Sequence, residues 1–317
     1  MTQMQGGPAH PKRHLLLWGV DISTARGLEI GPLASPALRR PLANVVYVDH
    51  ADTASLRAKY AGREGVDVAG IVDVDVVWSG GPLPARLLAR APFDYAFAAH
   101  VIEHVPDTIG WLDSLAALVR PGGRLCLAIP DKRFTFDYRR RPTALADLLD
   151  AHLRGNVRPM PAQVFDHHAQ TVVVDREVAW QGPIDPGTLL RYDTPAEALE
   201  LSRQAVAGAY IDVHCGVFTP HSPMTLLAGL AALGLLAWQC TAFYETEPCA
   251  LEMLLVLERL AEGTDMHSVA AGFSAAAPPL AADPSVLAAE LAAMRASTSW
   301  RVTAPLRGVG RAIRRLG

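Results

Sequence analysis

Charge of one sign is the first thing this 317-residue chain lacks: 29 Lys and Arg stand against 32 Asp and Glu, a net charge of −3. A field that weak gives no reason to expect a nucleic-acid partner. Cysteine is scarce as well. Cys126, Cys215, Cys240 and Cys249 form no CxxC pair and no metal-ligand spacing. That pattern fits reduced thiols in a cytoplasmic protein better than a disulfide framework. No apolar run reaches the length of a membrane span. LLLWGV near the N-terminus is too short even for a signal segment, and the longest run, residues 224–238, also falls short. Neither a transmembrane segment nor a targeting leader is expected. Internal repeats are missing, and so are a GxGxxG fingerprint and a YxxxK-type dyad, which disfavours a nucleotide-sugar oxidoreductase. No ligand spacing demands a metal ion and no metal site is assigned, although carboxylates and histidines near one cleft, Glu103-His104 among them, could bind a divalent cation that acidifies a hydroxyl.

What is present is an alternation. Short runs rich in Val, Ile and Leu alternate with helical stretches, the pattern of βαβ units in a parallel sheet. Strands are expected over 27–31, 44–49, 71–78, 94–99 and 124–130, with a helix over 107–119 closed by PGG. The rhythm then breaks. Residues 132–220 carry two expected helices, 143–154 and 195–209, among loops bearing proline and histidine. It resumes with a helix over 222–233 and strands over 235–244 and 251–259, joined by the short polar link ETEP and so read as an antiparallel pair. The expected fold is therefore α/β: a Rossmann-like, seven-stranded, mostly parallel sheet with an antiparallel final hairpin strand and a substrate-capping insertion after strand five. The domain boundaries that follow are 1–131 for the cofactor half, 132–220 for the insertion and 221–261 for the last helix and hairpin. An Ala/Gly/Pro/Ser-rich linker, 262–283, and an Arg-rich helical tail, 284–317, complete the chain.

Chemistry is concentrated in two places. GLEIGPLASP, residues 27–36, occupies the turn after strand one, with Asp49 closing the next strand 20 residues after Glu29. In a doubly wound sheet such a carboxylate reaches ribose hydroxyls, and Gly31 lets backbone approach a ligand. A pyrophosphate needs several free amides at a helix N-terminus. Leu33 stands where a further glycine is needed, and Pro32 and Pro36 remove two amides. S-adenosylmethionine, which carries no phosphate, tolerates that loss. An ordinary surface loop with two solvated acids is the competing reading.

The second place is FDYAFAAHVIEHVPDTIGWLDSLAALVRPGGRLCLAIPD, residues 93–131. It resembles the later half of class I S-adenosylmethionine-dependent methyltransferases in Phe93-Asp94, in Glu103-His104-Val105-Pro106-Asp107 and in Pro121-Gly122-Gly123. The resemblance is sharp over this block and extends in topology over 27–260. It implies cofactor contacts at Glu29, Gly31, Asp49, Ser79, Ala99, His100 and Glu103. Two positions depart from the family pattern: Leu33 replaces a glycine, and Trp78-Ser79-Gly80 replaces an acid at the end of strand three.

EIGPL, YVDH, PDKRFTFD (130–137), FDHH (165–168) and YIDVHCGVFTP (210–220) further resemble a subset associated with bacterial surface polysaccharide gene clusters. The tail RASTSWRVTAPLR, residues 295–307, resembles tails of glycan-assembly glycosyltransferases. The resemblance implies O-methylation of a glycan or sugar-nucleotide acceptor in the cytoplasm, with glycan-assembly partners or peripheral membrane contact through the tail. A positioned histidine suits removal of a hydroxyl proton, so His104, His167 and His214 are the catalytic candidates. Each also has a structural reading as a packed or hydrogen-bonded residue. DKRFTFDYRRR, residues 131–141, is either a solvated loop or a rim for an anionic acceptor. The rival function is a non-catalytic methyltransferase-like scaffold in a glycan-assembly complex, favoured by Leu33 and Ser79 and opposed by the retained Glu29 and Asp49.

Overall fold

The computed structural model describes residues 11–63 and 65–279. The expected tail 284–317 lies outside the described residues.

Seven strands form one sheet: β1 (Gly27–Ile30), β2 (Val45–Asp49), β3 (Val76–Val77), β4 (Phe93–Ala99), β5 (Val119–Pro130), β6 (Trp238–Tyr244) and β7 (Glu252–Arg259). Their order is β3-β2-β1-β4-β5-β7-β6. The first five are parallel neighbours, and β7 runs antiparallel to both β5 and β6. The final pair was legible from its short polar link, whereas β7's place between β5 and β6 was not.

The sheet is apolar on both faces because it is covered on both. Along β5, Leu125, Leu127 and Ile129 face one buried cluster, while Cys126 and Ala128 face the other, the two-residue period of a strand. Helices α1 (Thr53–Tyr60), α2 (Ala85–Leu88) and α3 (Thr108–Leu118) belong to the parallel half. Asp52 and Asp107 start α1 and α3 by accepting backbone N–H groups from Ser55 and Gly110.

Between β5 and the helix that precedes β6 lie α4 (Leu145–Leu153), α5 (Pro161–Gln170), α6 (Arg176–Gln181) and α7 (Pro195–Val206). Helix α5 was expected to be loop. Its sequence PAQVFDHHAQ has few aliphatics, and its buried face carries Val164, His167, His168 and Ala169. A signal was nonetheless present: Pro161 opens the helix, and the Gln163 side chain accepts the Met160 N–H at 2.8 Å. Helix α8 (His221–Ala232) leads into β6, and α9 (Met266–Ala276) follows β7.

Three expectations need correction. Strand three was read over 71–78 but pairs only at Val76–Val77. Its upstream part is diverted: the Val72 N–H donates to Leu33 O at 3.0 Å, bracing the turn after β1. The expected linker 262–283 contains α9, which packs on α8 and β6 through buried Val269 and Phe273. Those two recur at helical spacing, and alanine-rich composition suits a helix as well as a linker. Finally, residues 131–141 are neither a solvated loop nor a free basic rim. Asp131, Lys132, Asp137, Tyr138 and Arg140 are buried, and Arg133, Arg140 and Arg141 are paired with Asp131, Asp137 and Asp147.

Candidate active site

The strand order reverses between β1 and β4, so the crevice at their carboxyl ends is where a doubly wound sheet takes a ligand. The turn after β1 forms one wall. Gly31 has φ +67°, and a Cβ there would come within 2.8 Å of Val101 Cγ2, so glycine is required twice over. Leu33 adopts φ +44°: the left-handed conformation is kept where the glycine is not, against a cost of about 1–2 kcal/mol.

Glu29 does not project into this wall. It is buried, and its carboxylate accepts the N–H groups of Ala37 (2.7 Å) and Leu38 (3.0 Å). Burial raises its carboxyl to about 7 although the two amides pull it down. Glu29, expected at the cofactor, braces the loop with both carboxylate oxygens. The Gly31 and Ser35 amides bond Val48 O and Pro32 O, and Pro32 and Pro36 have none. Six of the eight residues 31–38 therefore have no amide to offer a phosphate, and the turn fits a phosphate-free nucleoside.

Asp49 ends β2, buried, with Oδ1 accepting from the His50 backbone N–H (2.8 Å) and facing His50 Nδ1 (2.7 Å). Ser79 lies exposed, two residues beyond β3. Ala99 ends β4, and His100 follows at φ +55°. His100 Nε2 lies 2.7 Å from Glu252 Oε2, and Arg13 grips the same carboxylate through two bonds of 2.9 and 2.6 Å. Burial works against the Glu252 charge, but the His100 and Arg13 hydrogen bonds outweigh it and hold the carboxyl at about 2.

The loop after β4 meets residues 210–217 in a second wall. The Glu103 carbonyl accepts the N–H groups of Cys215 (2.5 Å) and Gly216 (2.9 Å), which locks the two segments together. His104 Nδ1 sits 3.0 Å from Asp212 Oδ1, and His214 Nδ1 sits 2.5 Å from Asp137 Oδ2. The two imidazoles meet edge-on with centroids 4.7 Å apart. Burial pulls the His104 imidazole down, but the bond to Asp212 and the surrounding carboxylates raise it above an ordinary histidine. Asp137 resists burial because the charges of His214 and Arg140 hold its carboxyl far below the usual range.

His167 lies behind His214, with Nδ1 accepting the His214 backbone N–H at 3.2 Å. Burial, joined by the charge of Arg140, depresses its basicity, so it stays neutral and positions the 214 segment. The three histidines expected to be catalytic thus stand together, with Glu103 moved from the cofactor side to join them. Asp137, Arg140, Glu252 and Arg13 were missed as site residues. Only the i, i+3 spacing of Asp137 and Arg140 hinted at a local pair.

A ladder of polar contacts joins the two walls. Asp49 bonds His50, whose Nε2 lies 3.0 Å from Lys59 Nζ; Lys59 approaches Asp212 at 3.6 Å, and Asp212 bonds His104. A braced turn poor in free amides and a histidine–carboxylate cluster thus stand at the carboxyl ends of one Rossmann-like sheet. The family described as "Methyltransferase domain" matches residues 11–180, more than half of the chain, and the chain belongs to it. S-adenosylmethionine is the cofactor that goes with this family and with this turn.

The ubiquinone biosynthesis O-methyltransferase of Xylella fastidiosa strain 9a5c is 35% identical over 111 residues, covering 33% of this chain and 42% of that protein. The chain thus spans well under half the length of the curated relatives it matches. Among solved structures, a methyltransferase from Streptomyces caelestis aligns with TM-score 0.35 and 16% identity, covering 80% of this chain and 92% of that one. A chain from Rhodobacter sphaeroides described as a candidate Zn-dependent alcohol dehydrogenase aligns with TM-score 0.43 and 15% identity, over 80% and 92%. Both scores are low, and the fold assignment rests on the strand order itself. Among the described residues, no helix is long and apolar enough to cross a membrane.

Proposed function

We propose that the protein transfers the methyl group of S-adenosylmethionine to a hydroxyl of a bacterial surface glycan or its precursor, in the cytoplasm. One observation carries the acceptor side of this reading. The segments that resemble the polysaccharide-associated subset supply the second wall: PDKRFTFD contributes Asp137, FDHH contributes His167, and YIDVHC contributes Asp212 and His214. A scaffold would have no use for such a convergence of titratable groups.

S-adenosylmethionine, when bound, supplies an electrophilic methyl group on a sulfonium. The chain's own task is to hold the acceptor oxygen in line and to receive its proton. Asp49 would hold the ribose, and the braced turn would cover the nucleoside without phosphate contacts. His104 is the most exposed of the three histidines, at 28% against 2% for His214 and 4% for His167. On this reading it meets the acceptor hydroxyl first, and Asp212 balances the charge it gains. The arginine-rich tail would serve as a docking segment for a glycan-assembly partner.

The test is a calorimetric titration with S-adenosylmethionine and S-adenosylhomocysteine, with NAD as control, followed by transfer of labelled methyl to lipid-linked glycans, sugar nucleotides and phenols. Micromolar adenosyl binding with label in a sugar fraction is expected. No adenosyl binding by folded protein would overturn the enzyme reading in favour of the scaffold. Label only in phenols would overturn the glycan reading.

A further inference from the structure

We propose that Glu103, His104 and His214 form a binding site for one divalent transition-metal cation. The inference deepens the reading above, since it concerns the cluster assigned there to the acceptor. Each residue presents one ligand atom, and all three atoms lie within 4.8 Å of one another. Proximity alone would carry little. The decisive observation is what the buried atoms lack. Glu103 is fully buried, and neither of its carboxylate oxygens has a hydrogen-bond partner among the described residues. His100 Nδ1 stands off at 3.6 Å. His214 Nε2 is likewise buried without a partner. A buried carboxylate in that condition is costly unless a cation completes it.

The surroundings are built as a metal site is built. A metal-bound imidazole usually gives its other nitrogen to a carboxylate, which fixes the ring and raises its basicity. Both histidines here do so: His104 Nδ1 is tied to Asp212 and His214 Nδ1 to Asp137, leaving Nε2 of each as the remaining donor. Asp137 is itself held by Arg140 at 2.8 Å, and Arg140 by Asp166 at 2.8 Å. The Glu103 carbonyl, bonded to the 215 and 216 amides, sets the distance between the two ligand-bearing segments. Gly216 is needed there, because a Cβ would fall 2.7 Å from the Phe218 ring. Along the chain the set is concealed, with more than a hundred residues between His104 and His214.

Two imidazoles and one carboxylate favour a first-row transition ion such as Mn²⁺ or Zn²⁺ over Mg²⁺, which prefers all-oxygen surroundings. Three protein ligands leave positions open for an acceptor oxygen. With the ion held, the two histidines act as ligands, and His104 no longer receives the hydroxyl proton that the metal-free reading gives it. The acceptor oxygen then binds the ion and forms its bond to the methyl carbon as the carbon–sulfur bond breaks, and the hydroxyl proton passes to water. The sulfonium becomes a neutral thioether, so charge balances.

The test uses the full chain stripped with chelator and titrated with Mn²⁺ alone, followed by electron paramagnetic resonance, with Zn²⁺ and Mg²⁺ titrated by calorimetry. One Mn²⁺ per chain is expected, with Mg²⁺ at least tenfold weaker. Glu103→Gln and His214→Gln should abolish stoichiometric binding while circular dichroism stays that of the parent. Asp212→Asn, which touches no ion, should weaken binding roughly 10–100-fold. Absence of stoichiometric Mn²⁺ and Zn²⁺ binding, or equal binding by parent and both ligand variants, would overturn the site. Tighter Mg²⁺ binding would overturn the assigned ion class. S-adenosylmethionine titrated into the same stripped sample separates the two readings: cofactor binding without metal binding sinks only this inference, and metal binding without cofactor binding sinks only the earlier one.

Discussion

Glu29 and Glu103 are both buried glutamates near the carboxyl ends of adjacent strands, yet their surroundings are opposite. Glu29 ends its reach inside the protein, with two backbone amides filling its oxygens. Glu103 is more deeply buried, and its carboxylate accepts no hydrogen bond among the described residues. In the first wall Glu29 is therefore spent on holding the loop, together with most of the turn's amides. The second wall is unfinished, and what would complete it must come from outside the chain. A saturated buried acid marks scaffold, whereas an unsaturated one marks a place for a ligand.

That contrast can be broken from either side, and the largest effect is expected at the unfinished wall. His104→Ala should lower turnover roughly 10²-fold or more while the calorimetric affinity for S-adenosylmethionine stays within a factor of two or so of the parent's. Unchanged turnover would move the role to His167 or His214. Next comes Asp49→Ala, which should weaken cofactor binding by about 1.5–3 kcal/mol, the loss of a charged hydrogen bond; affinity equal to the parent's would remove Asp49 from the ribose.

Glu29→Ala sharpens the comparison because its effect should fall on folding. With two amides left bare, that of Leu38 buried, urea denaturation should show a loss of about 1–3 kcal/mol, and a stability equal to the parent's would show that the loop needs no brace. The smallest effect is Leu33→Gly. Relief of a left-handed leucine is offset by the larger unfolded-state entropy of glycine, so stability should shift by less than about 1 kcal/mol. A larger gain would mean that the turn stores more strain than φ +44° suggests.

Much of the sheet was legible because it is local. Strands β1, β2, β4, β5, β6 and β7 and helices α3, α7 and α8 all lie where apolar runs, caps and PGG placed them, within a few residues at their ends. Strand β3 misled because Val72 bonds the neighbouring turn, a contact that no window of sequence displays. Helix α5 was hidden by its own chemistry, since its buried side carries histidines where aliphatics would betray a period. Of the site, the three clustered histidines were readable as types, and Glu29 and Glu103 were both expected at the cofactor. Nothing in their neighbours reveals which of two buried acids finds amides and which does not.

By itself, then, the sequence determined the alternating elements, the phosphate-poor turn and the motif block that places the chain in its family, because periodicity, capping and proline act over a few residues. Only the tertiary structure decided that Glu103, His104, Asp137, Asp212 and His214 meet. Their convergence depends on the register of segments far apart in the chain, locked by backbone bonds from Cys215 and Gly216 to Glu103. It also decided which buried acid is satisfied, because desolvation and hydrogen-bond saturation are properties of a packed interior, not of a residue type.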